Sequence, residues 1–263
     1  FMNNGAVFRN APGAKFTTGT TGPGIVTLEG ALGTFENLGT FTKTSASSLS
    51  VYSRFNNAGL VEVMDSRLDL SGGSTVAHTG TFSVGNGKEL TFAGTHAFGD
   101  SVLKGGGTVE LSGGAMVFSG TGANGLHVQD GDTKLKMFGT QITGAGNLTS
   151  NAGTTVEING GSASLATTGA MTLNGRLNLL GGTLAGSGPL TANGAFNWSG
   201  GTVSGTGPLK VAGPLALTGQ VMLDGRTLNH TNASGASQMS GVITKLFMNN
   251  GAVFRNAPGA KFT

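Results

Sequence analysis

The chain has 263 residues, of which 49 are glycine and only 10% are charged, with one Trp and one Tyr. Glycine at far above the usual ~7%, without the every-third spacing of collagen, excludes an ordinary globule. Recurring Leu, Val, Ile, Phe and Met exclude a disordered linker, which lacks the apolar content to offset ordering entropy. The net charge of +3 contains no block of like charge, and there is no cysteine. A nucleic-acid footprint, a disulfide framework, a thiol nucleophile and a thiolate metal site are therefore not supported.

From the N terminus, the first seventeen residues, Phe1 to Thr17, return unchanged as Phe247 to Thr263, a spacing of 246. A perfect match of that length marks a repeat architecture. The expectation is a window on a longer tandem array, with residues 1–246 as one unit and 247–263 as the start of the next. Leaving out the duplicated Arg255 and Lys261, one unit carries 13 basic against 12 acidic residues, so its net charge is +1.

Further along, Phe35-Asn37-Gly39-Phe41 returns as Phe55-Asn57-Gly59-Val61 at an offset of 20. A ladder of apolar-x-apolar triplets follows, at 68–70, 90–92, 109–111, 135–137, 156–158, 177–179, 196–198 and 215–217. Period-two alternation reads as a strand with one buried face, and the Gly, Asn, Asp and Ser between triplets supply turns. Near the C-terminal half, Gly181 to Leu190 aligns with Gly200 to Leu209 at an offset of 19, which also carries Gly194 onto Gly213 and Trp198 onto Leu217. No segment shows sustained apolar spacing of 3 and 4, so essentially no helix is predicted. No apolar run approaches the ~18 residues of a membrane span.

Short strands at this spacing predict an all-β fold, a right-handed parallel β-helix (β-solenoid). It should have about 12 rungs of 19–22 residues per 246-residue period. A β-sandwich or propeller also has closely spaced strands, but does not explain near-identical neighbours at an offset of 19.

Segments such as Gly33 to Phe41, Gly105 to Gly114 and Trp198 to Gly207 resemble repeats in very large bacterial surface and secreted proteins. These are of the filamentous-haemagglutinin or autotransporter-passenger β-helix type. The resemblance covers nearly the whole chain and is specific for architecture, not activity. It implies an elongated protein, extracellular or at the cell surface, of a kind often used in adhesion.

Candidate chemistry is sparse. Gly120 to Gly125 matches G-x-G-x-x-G, but no helix follows to hold a phosphate, so it reads as a turn. Asp130-Gly131-Asp132 lacks the repeated pattern of calcium-binding β-rolls and reads as a solvated turn. The outward positions of the triplet ladder are Asp69, Thr91, Glu110, Lys136, Glu157, Asn178, Asn197 and Ala216. Alternating charge at Glu110, Lys136 and Glu157 suggests register control across strands, not the convergent carboxylate pair of a glycosidase. His78, His96, His127 and His230 do not fall at a common register, which argues against a metal stripe. Asn37 and Asn57 are expected to stack as an amide ladder with Asn10 as a looser third member. Trp198 aligns with Leu179 and Leu217 and is expected in the core; Tyr52 and Trp198 are the candidate sugar platforms. Four Asn-x-Ser/Thr sequons begin at Asn147, Asn197, Asn229 and Asn232, a number that chance accounts for.

No catalytic, cofactor-binding or metal residues and no cofactor are expected. The leading expectation is a non-enzymatic structural component of an extracellular bacterial fibre, its partners being identical units stacked end to end. Neighbouring fibres or cell-surface glycans stand as further partners; nucleic acid does not. The alternative is an adhesin shaft binding glycans or partner cells; a carbohydrate-active β-helix enzyme stands third. Separate 26 kDa subunits stacked head to tail would be another origin for the recurrence.

Overall fold

The structure is a computed structural model and describes residues 1–19, 22–26, 28–120, 122, 125–242 and 244–263. Among these the chain forms strands, turns and no helix, and every pairing between strands is parallel. The molecule is a parallel β-solenoid, as predicted; three strands make one turn of the coil, which gives it three faces.

The second face is a sheet of 12 strands running from Lys15–Thr18 to Val253–Asn256. The third face has 11 strands, from Gly22–Ile25 to Gln238–Met239. The first face is in two parts. Val7–Asn10, Thr34–Asn37 and Arg54–Asn57 form a three-stranded sheet, and an eight-stranded sheet runs from His96–Phe98 to Lys245–Asn249. Residues 71–80 bridge the parts without forming a strand: Phe55 N–H donates to Gly73 O, and His78 N–H donates to Ala97 O. The coil thus runs continuously through an irregular turn.

Strands stack in the register that the triplets implied. On the third face Leu68, Leu90, Val109, Leu135, Val156, Leu177, Phe196 and Leu215 are successive Cα partners. All eight are fully buried. The residues between them point outward, because successive side chains of a strand leave opposite faces. Trp198 lies in register with Leu179 and Leu217 and is 0% exposed, a core residue as predicted. Each such side chain contributes roughly 1.5–3 kcal/mol through burial, and every turn offers its apolar face to two neighbours.

The corners explain the glycine content. Gly175, Gly194 and Gly213 stack on one corner, where a Cβ added at Gly194 would lie 2.0 Å from the Gly175 carbonyl oxygen. At Gly213 it would lie 2.1 Å from the Gly194 oxygen. The backbones of adjacent turns approach too closely for any side chain, so this column requires glycine for space. Gly194→Ala is expected to destabilise the solenoid by about 2 kcal/mol or more. Gly161→Ala, at a corner with nothing within 4 Å, should stay within ~0.5 kcal/mol. Guanidinium unfolding midpoints of the two variants check this, and equal midpoints would refute the steric account.

Candidate functional site: a charged stripe and a buried polar ladder

Among the described residues, a stripe on the outside of the third face and a ladder inside one corner bring polar side chains together over several turns. The stripe is the outward ladder read from the sequence, and Asp69, Thr91, Glu110, Lys136, Glu157, Asn178, Asn197 and Ala216 are successive partners in it. Beside it runs a second column, Arg67, Glu89, Thr108, Lys134, Thr155 and Arg176. Together they line a shallow open depression of about 440 Å³ that includes Glu89, Glu110, Lys134, Lys136 and Glu157.

Lys136 Nζ lies 2.8 Å from Glu110 Oε2, and this hydrogen bond holds the ammonium pKa above its ordinary value. Glu157 faces Lys136 from the following turn. The lysine therefore separates two carboxylates that would repel if stacked directly, a cross-strand arrangement worth roughly 0.2–1 kcal/mol per pair. The arrangement fixes register. On the same face Asn197 Nδ2 donates to Asn178 Oδ1 at 3.0 Å, extending the side-chain pairing beyond the charges.

The buried ladder begins on the first face. Asn10 Nδ2 donates to Asn37 Oδ1 at 2.8 Å, and Asn37 Nδ2 donates to Asn57 Oδ1 at 2.8 Å. Asn10 is a full member, not the looser one expected: despite a 27-residue step, its strand pairs with Thr34–Asn37 in perfect register. Each amide also donates to a backbone carbonyl one strand further on, Asn10 to Thr40 O and Asn37 to Leu60 O. The ladder then passes to histidines. Asn57 N–H donates to His78 Nδ1 at 3.2 Å; His78 Nε2 and His96 Nδ1 are 3.1 Å apart; His96 Nε2 lies 3.1 Å from both Leu70 O and Ala93 O.

The tautomers follow. His78 Nδ1 faces a donor and must be bare, so Nε2–H donates to His96 Nδ1, and His96 Nε2–H donates to the carbonyls. Both rings are neutral and every proton has an acceptor. The sequence reading missed this pair, because His78 is in register with Phe98 and not with His96; the rings meet across a corner. Among the described residues no group of three or more His, Cys, Asp or Glu is placed to hold a metal ion. Burial, then the neighbouring His96, lowers the His78 pKa to about 3, and burial lowers that of His96 to about 4.

Two buried cations were not legible in the sequence. Arg226, 1% exposed, donates to the carbonyls of Gly207, Ser204 and Gly188, and burial lowers its pKa to about 10. Lys43 donates to Ser45 O and Asp65 O. Both satisfy corner carbonyls that strand pairing leaves over.

The remaining candidates fall into turns or into structural bonding. Gly122 N–H is occupied by Asp100 Oδ1 at 3.1 Å, while Thr121, Ala123 and Asn124 of the same motif lie outside the described residues. Asp130 and Asp132 adopt positive φ in an exposed turn, and Asp130 Oδ2 accepts from Gly105 N–H. His127 Nδ1 meets Thr149 Oγ1 at 2.5 Å. Of the sequon asparagines, Asn147 is held by Gly122 O and Ala170 N–H, Asn197 by Asn178, and Asn232 by Ser237. Asn229 pairs in register with Lys210. Tyr52 is half-exposed, as is Phe138, whose partners in the adjoining turns are Ser112 and Asn159.

No helix among the described residues is long and apolar enough to cross a membrane. Comparison of the chain with protein-family models, with curated proteins and with solved structures finds no match.

The histidine pair makes a pH dependence testable. Both folded-state pKa values lie below the unfolded value near 6.5, so the stabilisation is complete above pH ~6.5 and is lost as pH falls towards 4 and below. The loss should reach several kcal/mol by order of magnitude, and a His78→Asn, His96→Gln variant should show a flatter profile between pH 7 and 4. Unfolding midpoints across that range check it; parallel profiles for the two proteins would refute it.

Proposed function

We propose that the chain is one unit, with the start of the next, of a long structural fibre built from tandem β-solenoid repeats, and that the fibre is extracellular and not an enzyme. The observation that carries this reading is the unaltered return of residues 1–17 at 247–263, inside a coil whose buried column runs from one end to the other. A solenoid turn cannot bury its two edges alone and requires a neighbour above and below. A tandem unit supplies that neighbour from its own sequence.

The outer surface supports a structural role. On the third face Glu110, Lys136 and Glu157 form a ladder of alternating charge in register across turns, with Lys136 paired to Glu110. The depression they line is open to solvent, and the Lys136 ammonium stands between its two stacked carboxylates. The resemblance of the Gly-Thr-Phe and Gly-Gly-Thr-Val segments to repeats of large surface and secreted proteins, of the filamentous-haemagglutinin or autotransporter-passenger type, supports placing the fibre outside the cell.

Mass measurement of the native material under denaturing conditions tests the array. A species far above 26 kDa is expected; a single species near the mass of this chain, 26.1 kDa, would show separate stacked subunits instead.

A further inference from the structure

The two copies of the seventeen-residue segment have the same shape but lie on different faces. Asn4 and Asn250 have φ of 55° and 52°, Gly5 and Gly251 of 75° and 71°, and Gly13 and Gly259 of 78° and 81°. The closing turn bonds recur as Ala6 N to Asn3 O and Ala252 N to Asn249 O, and as Ala14 N to Ala11 O and Ala260 N to Ala257 O. Phe8 and Phe16 are 5.4 Å apart between ring centroids, and their copies Phe254 and Phe262 are 5.2 Å apart. Yet Val7–Asn10 belongs to the first face, whereas Val253–Asn256 ends the second. Likewise Lys15–Thr18 opens the second face, while Phe262 pairs with Ser237 beside the last strand of the third.

Each copy shows one edge of the same segment. The first is paired with the turn that follows it: Val7, Phe8, Arg9 and Asn10 lie against Thr34, Phe35, Glu36 and Asn37. The second is paired with the turn that precedes it: Val253, Phe254, Arg255 and Asn256 lie against Thr227, Leu228, Asn229 and His230. Val7 is 59% and Phe8 44% exposed at the first copy, and Val253 is 41% exposed at the second.

The polar ladder has the same complementarity. In the first copy Asn10 uses its amide nitrogen towards Asn37; in the second, the equivalent Asn256 uses its Oδ1 to accept from His230 Nδ1 at 2.6 Å. His230 Nε2 and Ser237 Oγ are 2.7 Å apart; because Leu215 N–H and Asn232 Nδ2 already donate to that oxygen, its own proton goes to Nε2 and His230 carries its proton on Nδ1. Overlaying the copies gives a side-chain relay with all donors pointing the same way, Ser237, His230, Asn10, Asn37 and Asn57, from which the main-chain N–H of Asn57 leads on to His78 and His96.

Resting on the tandem reading above, we propose that consecutive units join through residues 1–17 with a rotation of one face, and that His230 of one unit locks the phase by bonding the first ladder asparagine of the next. One unit spans eleven steps up the second face plus the one-third turn from the first face to the second, or eleven and one-third turns. Three units complete a revolution, so the charged stripe of the third face is presented successively on all three sides of the fibre. The partner for each end is therefore a second copy of this unit in one defined orientation.

Electron cryomicroscopy of the native fibre tests this. Neighbouring units should be related by a rotation of about 120° and a rise of ~54 Å at ~4.8 Å per turn. Units that superpose by translation alone, in a chain of high denatured mass, would overturn the junction while leaving the array intact. A denatured species near 26 kDa would overturn both. In the full-length chain, His230→Leu should speed hydrogen exchange at residues 7–11 of each unit by about tenfold through the unpaired Asn10 oxygen, and His230→Gln should restore most of the protection. Unchanged exchange in His230→Leu would remove His230 from the lock.

Discussion

Parallel stacking of one turn on the next is the constraint on which the rest of this molecule depends. Strands lie ~4.8 Å apart, and each backbone N–H and C=O along a strand is paired with the turn above or below. Nothing within a single turn satisfies those groups, so no turn is stable alone. Everything that distinguishes one turn from another must be accommodated at the same spacing. This explains why glycine fills corners where backbones nearly touch, as at Gly194 over Gly175, and why inner positions carry Leu, Val and Phe in continuous columns.

Polar groups obey the same spacing. An asparagine at a fixed corner position can donate to the next asparagine and accept from the last, so a column of identical amides is fully satisfied at every step but its ends. Asn10, Asn37 and Asn57 use this property, and the histidines continue it where the first face is interrupted at residues 71–80. Arg226 and Lys43 act where a corner leaves carbonyl groups converging without a neighbouring donor. A buried cation bonded to carbonyls, with its pKa lowered by burial, is costly as a charge but satisfies several acceptors at once. Outside, opposite charges on successive turns do for register what amides do inside.

In the proposed array, a fibre would gain length by the same parallel stacking of turns that operates within the unit. A unit of a whole number of turns would place every surface feature on one side. The face shift between Val7–Asn10 and Val253–Asn256 would, in the proposed array, distribute them around the axis instead.

The parallel coil, the near-absence of helix, the third-face register and the core position of Trp198 were all legible in the sequence. They depend on period-two alternation and on repeats at 19 to 22 residues, which are local or additive properties. The outward row from Asp69 to Ala216 was legible for the same reason, as was the Asn37–Asn57 pair. The tertiary structure alone decided that Asn10 joins that ladder, since a 27-residue step hides its register. It alone brought His78 against His96 and folded Arg226 inward, because corners vary in length and depart from strand periodicity. It also decided that two copies of one segment, equal in sequence and in shape, occupy different faces. That outcome depends on the accumulated lengths of all the turns between them, a sum that no single stretch of sequence displays.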